Sequence, residues 1–578
     1  MCGIVGIYNF KGNVEKHDLY KMLKQIEHRG PDYKNVFLDK NIGLGHNLLK
    51  IQDISNLSHQ PYVFNNLVIV YNGEIYNFQE IKAELKTKGY TFLSYGDTEV
   101  VAKSFDYWGL DAVKKFNGFF SIAIYNKEKK SISLIRDRVG IKPLYYYIDS
   151  DRLIFSSEIK SIFSDDTICK NINLDTILLS FSTNLWLPYY NTFFEKIEML
   201  EPGTIIIFNK NGIQKKYKYF KPSINIKYKK EKNAIILFKE SMKKSIKYKS
   251  LSKFQIATFL SGGIDSSIIT KEYSDLNNRI IDSFTIYYKE RENKDLKHAE
   301  SLTKKEKIRH HKILVKPENI NMQTLDEVIF HMEELLMDKV YISDYLNYKA
   351  AKEEGFRVIL NGQGSDELWL GYIKIWNIYK FVENNFNKKM LIDSYFKKNI
   401  VFKEKLSNYS KNILLNILDE YISNNILNGY QKEYENYTIY AIKTILHNLL
   451  LQEDKLSMAH SIECRVPFVD DNKMLELGLT IDSNLKLFDK KEKYILRKAY
   501  EKILPKNIIQ RNKYPFPEPP NKYDSVIKLL CKNNWENIIN NKIISYLIDT
   551  KKYSKLDYYN PKELWWLLNI YRFTEIFN

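Results

Sequence analysis

Cysteine is scarce in this chain: its 578 residues include four, Cys2, Cys169, Cys464 and Cys531. None is paired at the spacing of a metal knuckle or a redox motif. This argues against a disulfide framework and for a reducing compartment, so a cytoplasmic location is expected. No apolar stretch approaches the roughly 20 residues that a bilayer requires. The start also lacks a basic region followed by an apolar core, and removal of a leader would take Cys2 with it. No membrane association is expected. No G-x-x-x-x-G-K-[ST] run occurs, which excludes a Walker-type phosphate loop. Acids are outnumbered, 70 Asp and Glu against 88 Lys and Arg, for a net charge of +18. The surplus is scattered, and its densest cluster (Lys227, Lys229, Lys230, Lys232) lies in a polar stretch. Lys, Asn, Ile and Tyr are over-used throughout, as an AT-rich coding sequence would give. No nucleic-acid partner is therefore expected.

What remains is an ordinary globular balance, 44% hydrophobic and 27% charged, long enough for several domains. Residues 1–210 read as short strands with intervening helices, a mixed α+β unit of packed sheets. Strands are predicted at Ile4–Tyr8, Leu67–Tyr71, Phe119–Tyr125, Ser131–Arg136, Leu144–Tyr147 and Thr204–Phe208. Helical patterns fall at about 16–28, 77–88 and 97–108. Residues 211–232 are polar and Lys-rich and read as a linker. From 233 to 578 the rhythm changes. A helix near 233–248 leads to strands at Gln255–Leu260, Ile281–Tyr287, His310–Val315 and Phe356–Leu360. Strands alternating with helices predict a parallel α/β sheet. After about 374 the pattern is mainly helical.

Cys2 follows Met1 directly. Met is readily trimmed before a small residue, and trimming would put a thiol and a free α-amine on one residue. A thiolate is the nucleophile and needs a base near neutral pH; an N-terminal cysteine carries its own.

The second chemical signal is Leu260-Ser261-Gly262-Gly263-Ile264-Asp265-Ser266-Ser267, a strand running through a glycine turn into a helix. The glycines allow close backbone approach, and the helix start offers unpaired N–H groups suited to phosphate. Ser-Gly-Gly-x-Asp-Ser resembles the pyrophosphate loop of ATP enzymes that adenylate a substrate. The run Asn361-Gly362-Gln363-Gly364-Ser365-Asp366-Glu367 places adjacent carboxylates on a glycine-rich loop. Mg²⁺ accepts such a donor set together with phosphate oxygens.

Further runs occur in order. The first half carries Cys2-Gly3-Ile4, His28-Arg29-Gly30-Pro31-Asp32, Asn72-Gly73-Glu74-Ile75-Tyr76-Asn77, Gly96-Asp97-Thr98-Glu99 and Arg136-Asp137-Arg138-Val139-Gly140. The second carries Ser261–Ser267, Ser283-Phe284-Thr285, Gly364–Glu367, Gly371-Tyr372, Asp454–Ala459, Glu463–Phe468 and Arg511-Asn512-Lys513. Over nearly its whole length the chain resembles class II glutamine amidotransferases of the asparagine synthetase type. The resemblance implies an αββα N-terminal-nucleophile glutaminase joined to a pyrophosphate-loop ATP domain, with ammonia passing between them inside the protein. It implies Cys2 as nucleophile, with Asn72 and Gly73 as donors to the oxyanion. Asn-Gly is also the strongest hairpin signal, and such a turn can present the same donors. Asp97, Glu74 and Ile51 would bind glutamine, and Arg29 would border that pocket. Leu260, Ser261, Gly262, Gly263, Asp265, Ser266, Ser267, Thr285, Gly364, Ser365 and Lys513 would bind ATP. Asp265 and Asp366 would hold Mg²⁺. The acceptor would be aspartate or another carboxylate, such as a sugar acid, and a homodimer is compatible with the family. A pyrophosphate-loop enzyme acting on nucleic acid and an inactive binding relative are the other readings; the glutaminase motifs and the intact site residues oppose them.

Three departures stand out. The family carries an Arg in a His-x-Arg-Leu-Ser-Ile segment that clamps the glutamine carboxylate. Here the run is His46-Asn47-Leu48-Leu49-Lys50-Ile51, with Asn47 or Lys50 left to compensate. Gln363 stands where many members have Glu. The acceptor segment Met337–Ser343 lacks the usual Arg and Pro.

Overall fold

The computed structural model describes residues 2–183, 192–277, 279–289, 294–336, 338–372, 433–513, 519–520 and 523–577, with isolated positions between 403 and 413. Met1 and Met337 lie outside the described residues, as does much of the predicted helical stretch after 374.

The first half is built from two six-stranded antiparallel sheets. The first has the order β10 (Ile197–Met199), β8 (Tyr145–Ile148), β9 (Arg152–Ser156), β1 (Gly3–Asn9), β3 (Ile42–Leu48), β2 (Tyr33–Asp39). The second has the order β12 (Gly212–Lys218), β11 (Thr204–Asn209), β7 (Ser131–Arg136), β6 (Gly118–Asn126), β5 (Leu67–Ile75), β4 (Tyr62–Phe64). Strand side chains alternate between faces, and here both faces are apolar. Ile4 and Tyr8 of β1 pack with Val68 and Val70 of β5 between the sheets. Val5 and Ile7 pack with Leu19, Met22 and Leu23 of the helix Lys16–Gln25. Ile69 and Tyr71 face the helices Phe78–Lys86 and Thr98–Trp108. The result is the expected αββα sandwich.

Two local readings change. Asn72-Gly73 is not a turn: β5 continues to Ile75, with Asn72 opposite Ser121 and Gly73 opposite Phe120. Part of the stretch read as linker, Gly212–Lys218, is β12, paired with β11 at a sheet edge. Its lysines tolerate that position because the strand is exposed along most of its length, on both faces, and charge at an edge blunts unwanted pairing.

The second half holds a five-stranded parallel sheet. Its order is β15 (Ile308–Val315), β14 (Ile281–Tyr288), β13 (Ile256–Phe259), β16 (Val358–Leu360), β17 (Glu463–Arg465). The chain moves outward from β13 through β14 to β15, then returns to the other side of β13 as β16. The strand order therefore reverses between β13 and β16. Ligands of open α/β sheets bind outside the carboxyl ends of strands at such a switch. The loops after β13 and β16 are the two glycine-rich motifs.

Candidate active sites

Cys2 immediately precedes β1 and is 6% exposed. Its backbone N–H donates to Asn72 Oδ1 at 3.0 Å, which joins the two sheets at this point. Asn72 is fully buried, and its Nδ2 has no partner among the described residues. A buried amide with an unused donor is costly unless something arrives to accept from it. The outer edge of β5 explains the place of Gly73. Tyr71 N–H donates to Gln60 Oε1 at 2.6 Å and Ile75 N–H to Asp97 Oδ2 at 2.8 Å. Alternate amides along a strand point the same way, so Gly73 N–H faces that edge between them. A Cβ on Gly73 would lie 2.2 Å from Phe119 O, so glycine is required there.

Among the described residues, the acids beside Cys2, Asp97 and Glu74, make no ion pair, although the Arg465 charge and the chain's amino end act on Glu74. Burial pushes the Asp97 carboxyl up to about 6, against hydrogen bonds from Tyr71 OH and Ile75 N–H. Glu74 is raised well above the usual carboxylate range by burial and then by the charge of Glu463. It accepts from Gln52 Nε2. Burial also pushes the Cys2 thiol up to about 11, so the thiol is protonated at neutral pH and needs a base of its own. Leu49 N–H donates to that thiol. Ile51 is buried, and its carbonyl accepts from Lys253 N–H at 2.9 Å, which ties the pocket wall to the second half.

The second site forms where β13 and β16 end. Gly262 has φ +67, and a Cβ there would lie 2.7 Å from Ala299 N, so the turn needs glycine. Ser266 Oγ accepts from Ser261 N–H at 3.2 Å, and the helix Ile264–Leu276 starts at the turn. Asp265 Oδ1 accepts from Ser365 Oγ at 2.6 Å, which joins the two loops. Lys493 Nζ lies 2.5 Å from both Asp265 Oδ2 and Asp366 Oδ1. Lys513 Nζ lies 2.7 Å from Asp366 Oδ2. Burial raises the Asp366 carboxyl, but the two ammonium groups overcome it and hold the group below its usual value. Arg511 donates to Ser261 O at 3.0 Å and pairs with Asp295.

The predicted ATP residues occupy two layers. Ser261, Gly262, Gly263, Asp265, Ser266, Gly364, Ser365 and Lys513 converge on the loops. Thr285 donates to Leu260 O and stands 2.8 Å from His310 Nε2; Ser267 is fully buried. These two support the loop from behind.

Two family profiles divide the chain: "Glutamine amidotransferase domain" matches residues 1–220 and "Asparagine synthase" residues 237–571. The chain belongs to the asparagine synthase family. It is 29% identical to asparagine synthetase [glutamine-hydrolyzing] 1 of Bacillus subtilis, over 90% of this chain and 87% of that one. It is 33% identical to putative asparagine synthetase [glutamine-hydrolyzing] 2 of Methanocaldococcus jannaschii, over 66% of this chain and 77% of that one. A solved allosteric regulatory enzyme of purine biosynthesis aligns at a TM-score of 0.31 and 16% identity, over 49% of this chain and 64% of its own.

Against that family pattern, Leu48 is 6% exposed and offers no charge to a carboxylate. Neither neighbour is turned to the task. Asn47 Nδ2 donates to Leu23 O at 2.7 Å and Ile26 O at 3.1 Å, fastening the end of a helix. Lys50 Nζ donates to Ile54 O at 3.0 Å within its own loop. Arg29 does not line the pocket through a free guanidinium; it is fully buried, with its Nε donating to Cys2 O at 3.1 Å. Lys493 escaped the sequence reading because it ends the run Lys490-Lys491-Glu492-Lys493 in a Lys-rich chain. Its one local signal, a left-handed φ of +55 ahead of the helix Tyr494–Tyr500, belongs to the backbone.

Proposed function

We infer that this chain is a glutamine-hydrolysing asparagine synthetase: aspartate, ATP, glutamine and water give asparagine, AMP, pyrophosphate and glutamate. The observation that carries this is the pairing, in one chain, of a buried cysteine bonded to Asn72 with a two-loop phosphate site around Asp265 and Asp366.

In the first site, Met1 is removed and the Cys2 α-amine takes the thiol proton as sulfur attacks the glutamine side-chain carbonyl. Asn72 Nδ2 and Gly73 N–H receive the oxyanion; preorganised donors in a dry site do this without reorganising. The α-amine returns the proton to the leaving nitrogen, and ammonia departs. Water then opens the thioester to glutamate. Asp97 and Glu74 face the substrate's α-ammonium, whose charge favours their ionised forms.

In the second site, the Ser261–Ser267 turn and its helix N-terminus hold the ATP phosphates. The aspartate side-chain carboxylate attacks the α-phosphorus and pyrophosphate leaves beside Lys493 and Lys513. Ammonia then displaces AMP from the acyl-adenylate. Asp265 Oδ2 and Asp366 Oδ1 converge on one cation, the Lys493 ammonium, and both Glu367 oxygens are buried without a side-chain partner among the described residues. That donor set fits Mg²⁺, which takes one or two carboxylates plus phosphate oxygens. When bound, the ion neutralises phosphate charge; Asp265 and Asp366 would hold it.

The test is a panel of acceptors with Mg-ATP and glutamine, following pyrophosphate and products. Aspartate-dependent pyrophosphate with asparagine formed supports the reading. Pyrophosphate released only with another carboxylate overturns it.

A further inference from the structure

The residue that bears the nucleophile is gripped from the other half of the molecule. Arg29 sends its donors three ways: Nε to Cys2 O at 3.1 Å, Nη1 to Glu158 Oε1 at 2.8 Å and Nη2 to Asp454 Oδ2 at 2.7 Å. Arg29 is fully buried, and the side chains of Glu158 and Asp454 are 1% and 0% exposed. Glu158 belongs to the amidotransferase half. Asp454 lies on the helix Ile445–Ala459 of the synthetase half, and its other oxygen accepts from Lys142 Nζ at 2.9 Å. The preceding residue points about 100° away around the helix. That residue, Glu453, accepts from Tyr348 OH and from the side chain of Asn361, the first residue of the loop that carries Asp366. One helix thus touches the nucleophile's support with one carboxylate and the phosphate loop with the next.

We propose that Asp454 is a positioning residue for Cys2, acting through Arg29, so that glutamine opening depends on a carboxylate supplied by the synthetase half. A guanidinium is planar with donors in a fixed fork, so pinning two of its edges fixes the third. Glu158 alone pins one edge. With Asp454 in place, the Nε–H that holds the Cys2 carbonyl has one direction, and the thiol beside it has one place. A shift of about 1 Å at a reacting atom costs on the order of 100-fold in rate. The proposal rests on Cys2 being the glutaminase nucleophile.

The experiment compares Asp454→Asn, Asp454→Glu, Arg29→Lys and the Asp454→Asn/Arg29→Lys double variant in the full-length enzyme. Glutamine hydrolysis is measured without ATP, and ammonia-dependent asparagine synthesis reports the fold and the other site. For Asp454→Asn, kcat for glutamine should fall about 10- to 100-fold with KM within about threefold, the pattern of lost alignment rather than lost binding. Ammonia-dependent synthesis should stay within about twofold, Asp454→Glu should recover most of the loss, and the double variant should be no worse than the poorer single. An unchanged glutamine kcat overturns the proposal, as does an equal loss of ammonia-dependent synthesis. Multiplicative losses in the double variant also overturn it, since Asp454 would then act through Lys142 or the fold. A Cys2→Ala control separates the layers: glutamine hydrolysis surviving that change would sink the nucleophile assignment beneath the proposal.

Discussion

Two aspartates buried to nearly the same depth are shifted in acidity in opposite directions. Asp97 in the glutamine pocket is 6% exposed and is pushed up to about 6 by burial. Asp366 in the phosphate site is 7% exposed and is held below its usual value, because Lys493 and Lys513 outweigh burial. Burial alone therefore does not set the charge of a site; the partner in place does. Each arrangement matches the ligand proposed for it. The proposed glutamine site keeps acids that make no ion pair among the described residues, ready for an arriving α-ammonium. The phosphate site keeps cations in place, ready for an arriving polyanion.

That contrast can be broken one site at a time. Cys2→Ala should lower glutamine-dependent asparagine formation at least about 10,000-fold, the scale of nucleophile loss in other covalent enzymes. It should leave ammonia-dependent formation near the parent value; parallel loss of both would mean the sites are not separable. Lys493→Met should act oppositely, lowering synthesis from either nitrogen source about 100- to 1000-fold while glutamine hydrolysis without ATP persists. Asn72→Ala removes one of the two proposed oxyanion donors and should reduce kcat for glutamine about 100-fold with little change in KM. The smallest effect is on acidity. In the role proposed for it Asp97 must be ionised to hold the α-ammonium, and its carboxyl, pushed up by burial, protonates as the pH falls through about 6. kcat/KM for glutamine should fall as the pH drops through about 6 on account of this carboxyl, and Asp97→Asn should lower the profile and remove that step, leaving only the fall set by the Cys2 α-amine.

The sequence revealed the two sites unequally. The phosphate loops were legible because their chemistry is local: Ser261–Ser267 and Asn361–Glu367 each sit at one strand end, where glycines and hydroxyls must cluster. The glutamine pocket was half legible. Asn72-Gly73 carried the right residues, but the hairpin preference of Asn-Gly hid that they lie within β5, where the sheet edge aims Gly73 N–H. Lys493 was lost among neighbouring lysines. Asp454 could not be assigned a partner, since its bond to Arg29 spans 425 positions and exists only once the halves dock. The edge strand Gly212–Lys218 read as linker because it is polar, which an edge position permits.

The central claim is that one chain opens glutamine at Cys2 and spends its nitrogen on aspartate at the second site. The direct measurement supplies amide-¹⁵N glutamine, aspartate and Mg-ATP in the presence of excess unlabelled ammonium, and reads the isotope in the product by mass spectrometry. The account predicts asparagine whose amide carries ¹⁵N well above its share of total ammonia, with one pyrophosphate per asparagine. Asparagine labelled only at the bulk ratio, or no asparagine at all, would contradict it.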